Sequence, residues 1–318
     1  MGYYASVIEL PGGIGIALTA DGVGTKLLVA QMLDKFDTVG IDCVAMNVND
    51  LLCVGAEPVA MLDIIALERS DPRLLREIGK GLFTGAQQAD ISIPGGEIAE
   101  VKEMLRGSRR GCAFDLSGMA IGLVPVDRII LGQHIAEGDV LIGLPSSGIH
   151  SNGLTLARKT LFRRGKLKID QYLPELGQGV GEALLTPTRI YVRPIRSLLD
   201  QVSWVRALFH ITGDGFFNLT RAASEVGFVI EALPERPAIF RVIQEIGQIA
   251  EGDMFRVFNM GVGFAVVVPE AEADRALTCL RDEGIEGMRL GYALRDGQRR
   301  IRILPPGLVG RGGRFRKR

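Results

Sequence analysis

The chain of 318 residues has few of the features that mark several large classes of protein. It has four cysteines without Cys-x-x-Cys spacing, which is typical of a reduced protein with no disulfide framework. No apolar run reaches the roughly 18 residues that span a bilayer, and no signal peptide opens the sequence. The sequence therefore predicts a cytoplasmic protein with no membrane partner.

An excess of charge of one sign is also missing. The 37 Lys and Arg residues are balanced by 37 Asp and Glu residues, which argues against a broad basic surface for nucleic acid. The exception is the Gly/Arg-rich tail at 306–318, which we expect to be a disordered, solvated end. Its cations are Arg311, Arg314, Arg316, Lys317 and Arg318.

The remaining composition favours a globular protein of two domains. Hydrophobic residues make up 47% of the chain and charged residues 23%, enough for substantial cores. Strand-like and helix-like patterns alternate in both halves, which predicts an α/β (α+β) protein with mixed sheets. We place the boundary in the linker after residue 125, which gives domains at 1–125 and 126–305.

A glycine-rich turn follows the first long apolar run. Ile14 to Ala20 is predicted as a buried strand that ends at Asp21. Gly22 and Gly24 allow close backbone approach to a ligand, and a helix start at about Thr25 offers free N–H groups to an anion. Lys26 is placed where it could reach a phosphate. The residue order differs from a Walker A loop.

The helix predicted from Val39 to Val54 has one polar face. Asp42, Asn49 and Asp50 are seven and eight residues apart, which places them on one side of a helix. A solvated face is the simple interpretation, but such faces normally carry Lys, Glu and Arg. Short oxygen side chains are instead the ligands that Mg²⁺ prefers.

Other carboxylates follow or interrupt apolar runs. Asp63 lies in the strand predicted at Pro58 to Leu67, and Glu97 follows Gly95 and Gly96 at the end of a short apolar run. Asp115 lies within a predicted strand and is either an edge residue or a ligand. Asp214 lies between two glycines, where it is either an extra metal ligand or the cap of the next helix.

A second loop of small polar residues precedes a helix predicted from about Leu154. This loop, PSSGIHSNG, is either a phosphate cradle or a Ser/Gly turn with a helix cap. His150 is one of three histidines and is either an acid–base group or structural. Farther on, Thr186 and Pro187 are predicted to open a helix over Leu185 to Val202.

Seven motifs occur in one order along the chain: ADGVGTK, VNDLLCVGAEP, GGEIAE, PSSGIHSNG, LLTPTRIYV, HITGDGF and FNMGVG. Together they resemble the phosphoribosylformylglycinamidine cyclo-ligase family, over about Ile14 to Ile303. The resemblance implies two α/β domains and a homodimer joined through the N-terminal sheets. It also implies ATP and Mg²⁺ as cofactors. The substrate would be formylglycinamidine ribonucleotide, which is cyclised to aminoimidazole ribonucleotide in purine biosynthesis.

The resemblance also implies roles for individual residues. Mg²⁺ and ATP would be held by Asp21, Asp50 and Glu97, with Lys26 on phosphate. The wider nucleotide and substrate site would include Gly22, Gly24, Thr25, Asp42, Asn49, Asp63, Gly96, Ser147, Ser151 and Asn152. Lys26, His150 and His210 are the candidate catalytic residues.

Two features differ from the family's usual pattern. Members usually begin with a longer segment that contains a glycine-rich stretch, whereas only Pro11-Gly12-Gly13 stands before Ile14. We therefore expect a nucleotide lid that is absent, shortened or supplied differently. Asp214 stands where the family usually has glycine, and the related thiamine-monophosphate kinases have a metal-binding carboxylate near this point, so Asp214 is either an extra Mg²⁺ ligand or a helix cap. Asp214 leaves a related small-molecule kinase as one alternative, and the short N-terminal segment leaves a non-catalytic nucleotide-binding protein as another.

Overall fold

Two sheets divide the chain near residue 125 in a computed structural model that describes residues 3–317. The first sheet has the order β1-β2-β5-β3-β4 and is antiparallel except for the parallel pair β3–β4. Its strands are Ser6–Leu10 (β1), Ile14–Gly22 (β2), Glu57–Leu67 (β3), Ser92–Glu100 (β4) and Phe114–Pro125 (β5). Its helices are Lys26–Leu33 (α1), Val39–Cys53 (α2) and Pro72–Ala89 (α3).

The second sheet has eight strands in the order β15-β14-β13-β10-β12-β6-β11-β9. The strands of this half are Val140–Pro145 (β6), Tyr172–Leu173 (β7), Gln178–Gly179 (β8), Ala207–His210 (β9), Val226–Ile230 (β10), Val262–Val268 (β11), Met288–Arg295 (β12), Ile301–Ile303 (β13), Leu308–Arg311 (β14) and Arg314–Lys317 (β15). Strands β7 and β8 pair only with each other.

The helices of this half are Leu154–Arg158 (α4), Val180–Leu185 (α5), Val192–Gln201 (α6), Ala238–Gly247 (α7), Glu251–Val257 (α8) and Ala273–Asp282 (α9). Helix α4 continues as a π-helical turn over Lys159–Arg164, and a 3₁₀ segment covers Gly215–Arg221. The prediction of an α/β protein with mixed sheets is confirmed, because β10 pairs parallel with β13 and antiparallel with β12.

Helix α2 is the central helix of the N-terminal half and is almost entirely buried. Its side chains at Val44, Val48, Leu51 and Leu52 are fully buried, which is typical of the apolar face of an amphipathic helix. The helix contacts the strands of the first sheet on one side and β9 of the second sheet on another. This position explains why its polar face meets the other half of the chain.

Three parts of the predicted secondary structure are wrong. Glu97 lies inside β4 and not after a strand, because β4 continues through both glycines alongside β3. The tail is ordered in a hairpin of β14 and β15, since the Phe315 ring packs against Phe217 at 4.5 Å between centroids. A single helix over Leu185 to Val202 is absent from the described chain. Helix α5 ends at Leu185 and α6 begins at Val192.

The residues between α5 and α6 form an interdomain strap, Thr186 to Tyr191. The backbone amides of Thr188 and Tyr191 donate to side chains of α2 and not to helical carbonyls, which explains the break in the predicted helix. Over residues 3–317, no helix is both long and apolar enough to cross a membrane.

Candidate active site

The glycine turn after β2 presents its backbone to open space. The amide of Gly22 donates to the Asp21 carboxylate at 2.7 Å. Gly24 has a φ of +69°, and a Cβ there would meet no atom within 4 Å. The backbone is therefore accessible to a ligand at a position where side chains are strained. Thr25 lies 3.1 Å, between hydroxyl oxygens, from Thr155 of α4, so the turn faces the C-terminal domain.

Asn47 of α2 fixes the end of β2. Its carboxamide accepts from the Asp21 amide at 3.1 Å and donates to the Asp21 carbonyl at 3.2 Å. The same residue accepts from the Thr19 hydroxyl. Asn47 was not among the residues predicted from the sequence. The available signal was a carboxamide in an otherwise apolar helix, close to the polar positions Asp42, Asn49 and Asp50.

Asp21 and Asp50 are the two predicted metal ligands that the fold brings near each other. Asp50 lies on α2, and its carboxylate is 2.8 Å from Nδ1 of His210 at the end of β9. The pKa of Asp21 is raised, chiefly by desolvation and also by the nearby Asp50 carboxylate. Two carboxylates placed near each other in this way provide a place for a cation.

Lys26 is not free at the surface. Its ammonium is fully buried, 2.8 Å from the Asp42 carboxylate and 2.6 Å from the Thr186 carbonyl of the strap. Burial lowers the pKa of Lys26, and the Asp42 carboxylate opposes that shift. The same Asp42 oxygen accepts from the backbone amide and the hydroxyl of Thr188, at 2.7 and 2.6 Å.

Asn49 binds the strap one step farther along. Its carboxamide donates to the Arg189 carbonyl at 2.9 Å and accepts from the Tyr191 amide at 3.0 Å. Asp42 and Asn49 are both fully buried. The polar face of α2 is therefore neither a solvated face nor wholly a ligand face, because two of its three members bind the C-terminal domain.

The second polar loop packs against the same strap. Ser147 donates from its hydroxyl to the Pro187 carbonyl at 2.5 Å, and Ser151 lies 3.2 Å from the Thr188 hydroxyl. The backbone amide of Ser147 donates to Nε2 of His150 at 3.2 Å. The Asn152 carboxamide donates to the sulfur of Met46 at 3.8 Å. The loop thus lies at the boundary between the domains.

His150 is a buried, neutral imidazole in this arrangement. Burial lowers the pKa of His150 well below its usual range, and electrostatic interactions with His210, Lys26 and Arg189 lower it further. Its φ is +60°, which is uncommon for a residue with a side chain. Its Nδ1 has no hydrogen-bond partner within residues 3–317.

Asp63 lies on the same face of the sheet as Asp21. Both residues pair with Gly118 of β5 from opposite sides, which separates their strands by roughly 10 Å. Desolvation raises the pKa of Asp63. A Cβ at Gly96 would lie 2.7 Å from the Asp63 carboxylate, so only glycine fits beside that side chain.

Glu97 and Asp214 are placed differently. Glu97 is exposed on β4, three strands from β2 and so roughly 14 Å across the sheet from the turn. Asp214 forms an ion pair with Arg221 at 3.0 Å, and its side chain does not cap the 3₁₀ segment that follows. Across residues 3–317, no three His, Cys, Asp or Glu side chains form a group with metal-binding geometry.

Known proteins of one family match most of this chain. A family model described as "AIR synthase related protein, N-terminal domain" matches residues 2–124, and the model of the C-terminal domain matches residues 136–303. The phosphoribosylformylglycinamidine cyclo-ligase of Methanothermobacter thermautotrophicus is 49% identical over 281 residues, 88% of this chain and 81% of that protein. The protein of the same name from Thermococcus kodakarensis is 48% identical over 95% of this chain and 85% of its own.

Solved structures show the same fold at low sequence identity. The hydrogenase maturation protein HypE in complex with ATP has a TM-score of 0.66 at 18% identity, over 97% of this chain and 85% of that one. Thiamine monophosphate kinase from Aquifex aeolicus has a TM-score of 0.63 at 15% identity, over 94% and 90% of the two chains. The sequence matches are far closer than these, and the chain therefore belongs to the phosphoribosylformylglycinamidine cyclo-ligase family.

Proposed function

We propose that the protein catalyses the ATP-dependent cyclisation of formylglycinamidine ribonucleotide to aminoimidazole ribonucleotide, with release of ADP and phosphate. The observation that carries this proposal is the meeting of three features at one domain boundary. These are the open glycine turn after Asp21, the Asp50–His210 pair, and the Ser147 to Asn152 loop. Relatives at 44–49% identity carry the name of that reaction.

Magnesium and ATP fit the residues present. Desolvation, together with the nearby Asp50 carboxylate, raises the pKa of Asp21, and a divalent cation between the two carboxylates would favour their ionised forms. The accessible amides around Gly24 suit a polyphosphate. When bound, Mg²⁺ would neutralise charge on the phosphates. Asp21 and Asp50 would hold the ion, and Asp63, on the same face of the sheet, is a further candidate.

The chemistry needs positioning more than an enzyme nucleophile. Transfer of the terminal phosphoryl group of ATP to the formyl amide oxygen turns that oxygen into a leaving group. The neighbouring amidine nitrogen then attacks the same carbon, the ring closes, and phosphate leaves with the oxygen. The protein's part is to hold both substrates at the domain boundary and to exclude water. The buried His150 imidazole accepts from the Ser147 amide at Nε2, so its neutral form carries its proton at Nδ1, where it can donate a hydrogen bond to a substrate group at this boundary.

We infer that the active form is a homodimer in the cytoplasm. One face of the first sheet is covered by α2 and α3, whereas the other exposes a row of apolar side chains. These are Ile8, Leu10, Ile14, Leu62, Ile64, Met119 and Leu123, each 40–54% exposed. Strand pairing places them on one face. A contiguous apolar face of this kind marks an interface, and a second copy of the chain offers the same face.

The four cysteines are free thiols, which suits a reducing compartment such as the cytoplasm.

A coupled assay tests the reaction. Protein is incubated with formylglycinamidine ribonucleotide, ATP and Mg²⁺, and aminoimidazole ribonucleotide and free phosphate are followed together. Equal amounts of both products are expected, with no turnover in excess EDTA. Phosphate that remains attached to another metabolite would identify a kinase, and ATP binding without any product would identify a non-catalytic nucleotide-binding protein.

Variants connect the assay to the site. Asp50→Asn is expected to lower kcat/KM at least about 100-fold, since metal-assisted charge stabilisation contributes several kcal/mol. Asp200→Asn is the matched control, because Asp200 is an exposed carboxylate that lines a separate cavity beside α6. Equal activity of the two variants would contradict the assignment of Asp50 to the metal.

A further inference from the structure

The strap between α5 and α6 has no secondary structure, but five hydrogen bonds join it to side chains of α1 and α2. Lys26 donates to the Thr186 carbonyl, and Asp42 accepts from the amide and hydroxyl of Thr188. Asn49 binds the strap at its far end, through the Arg189 carbonyl and the Tyr191 amide. The backbone on both sides of the Arg189 side chain is therefore fixed by the other domain.

The Arg189 side chain itself has no such partner. It is half-buried, and among residues 3–317 its guanidinium takes part in no ion pair. The other cations around the site do have partners, because Lys26 is paired with Asp42 and Arg221 with Asp214 at 3.0 Å. A partly desolvated charge without a counter-charge is costly, and an anionic ligand would remove that cost.

The surroundings of Arg189 suit an anion between the domains. Arg189 is near enough to His150 to contribute to the lowered pKa of that imidazole. The neighbouring strap residue, Thr188, meets the hydroxyl of Ser151 at 3.2 Å. The strap thus presents Arg189 beside the loop that carries Ser147, Ser151 and Asn152, whose small donors suit phosphate oxygens.

We propose that Arg189 binds a phosphoryl group at the domain boundary. A guanidinium donates two parallel hydrogen bonds to phosphate oxygens, and rigid anchoring of its backbone lowers the cost of placing it. The phosphoryl group belongs either to the ribose 5′-phosphate end of the substrate or to the terminal phosphate of ATP. This inference rests on the proposed function for its choice of ligands.

The test measures binding without turnover. Calorimetry gives the Kd of ribose 5-phosphate, ribose, ATP and ADP for the wild type, Arg189→Met, Arg189→Lys and the control Arg193→Met. Arg193 is exposed on α6 and donates to the Gln87 carbonyl at 3.3 Å, away from the second polar loop. Charge-assisted hydrogen bonds predict a loss of about 10- to 100-fold for Arg189→Met and a smaller loss for Arg189→Lys.

The four ligands separate the two sources of the phosphoryl group. A loss for ribose 5-phosphate and not for ribose assigns Arg189 to the substrate, whereas a loss for ATP and not for ADP assigns it to the transferred phosphate. Unchanged affinity for all four ligands, in a folded variant, overturns the proposal. If the wild type makes no aminoimidazole ribonucleotide but binds a phosphate through Arg189, only the proposed function fails.

Discussion

The Lys26 ammonium and the Asp42 carboxylate form an ion pair at 2.8 Å, and neither side chain is exposed to solvent. Removing one member leaves the other charge buried and unpaired, at a typical cost of about 3–5 kcal/mol. We expect Lys26→Met and Asp42→Asn each to lower the free energy of unfolding by about this amount. The double variant is expected to lose less than the sum, as measured by urea unfolding.

The same variants separate structural and phosphate-binding roles of Lys26. ATP affinity that is lost in Lys26→Met and stays lost in the double variant would show that the ammonium contacts the nucleotide. Lys80→Met is the control, since Lys80 is 69% exposed and its 3.4 Å pair with Asp37 is worth at most about 1 kcal/mol.

Asp21 makes the apoprotein less stable as the pH rises. Its pKa is raised in the folded state, so the native protein holds this proton more tightly than the unfolded chain does. The contribution of Asp21 to stability is therefore lost as pH rises from about 4 through the raised pKa. We expect Asp21→Asn to raise the thermal midpoint at pH 7 in metal-free buffer and to abolish the stabilisation given by Mg²⁺ with ATP.

Asp34 is a control for this prediction, because its pKa is shifted in the opposite direction to that of Asp21. Hydrogen bonding to Arg73, together with the Arg109 charge, lowers the pKa of Asp34. Asp34→Asn is therefore expected to lower the midpoint slightly at pH 7, with the difference vanishing at low pH. If the thermal midpoint of Asp21→Asn at pH 7 is below that of the wild type, the ionised Asp21 carboxylate does not destabilise the folded protein.

The apolar face of the first sheet is expected to hold the dimer together. Leu62 and Met119 are paired on neighbouring strands and are 42% and 44% exposed. Leu62→Asp with Met119→Asp would place two charges in the interface and yield monomers in analytical ultracentrifugation. Phe83→Asp is the control, because Phe83 is 62% exposed on α3, away from that face. A wild-type protein that sediments as a monomer at micromolar concentration would contradict the inference.

His210 is expected to orient Asp50 toward the metal. Its Nδ1 lies 2.8 Å from the Asp50 carboxylate, and outer partners of this kind change metal affinity by about 10- to 100-fold. We expect His210→Ala to raise the Mg²⁺ concentration for half-maximal rate within that range. His210→Asn, which keeps a donor, should have a smaller effect, and the exposed His134→Ala should have none. If His210→Ala slows turnover with unchanged Mg²⁺ dependence, His210 acts elsewhere.

Local sequence patterns predicted most elements because each pattern depended on nearby residues. Helix α3 begins after Asp71, whose side chain accepts from the amides of Arg73 and Leu74, and an Asp-Pro pair is a local signal for such a helix start. The core face of α2 was also predictable from its 3.6-residue period. The mixed sheets followed from the alternation of strand and helix patterns.

The failures involve contacts between residues far apart in the chain. Thr186 and Pro187 have the residue types of a helix start, but Thr188 donates its amide to Asp42. The sequence also did not indicate that the Lys26 ammonium contacts Asp42 and the Thr186 carbonyl, 160 residues away. Glycines at 95 and 96 suggested a loop, but pairing with β3 extends the strand through them.

The bonds between α2 and the strap also constrain how the protein is made. Asp42 emerges from the ribosome 146 residues before its partner Thr188, an interval of about 7 to 30 s at ordinary synthesis rates. During that time the Asp42 carboxylate can pair with Lys26 but lacks Thr188, and the Asn49 carboxamide lacks Arg189 and Tyr191. These contacts of the N-terminal half form only after the strap has been translated. Translation pauses in this window would therefore prolong the exposure of an unfinished half to chaperones and proteases.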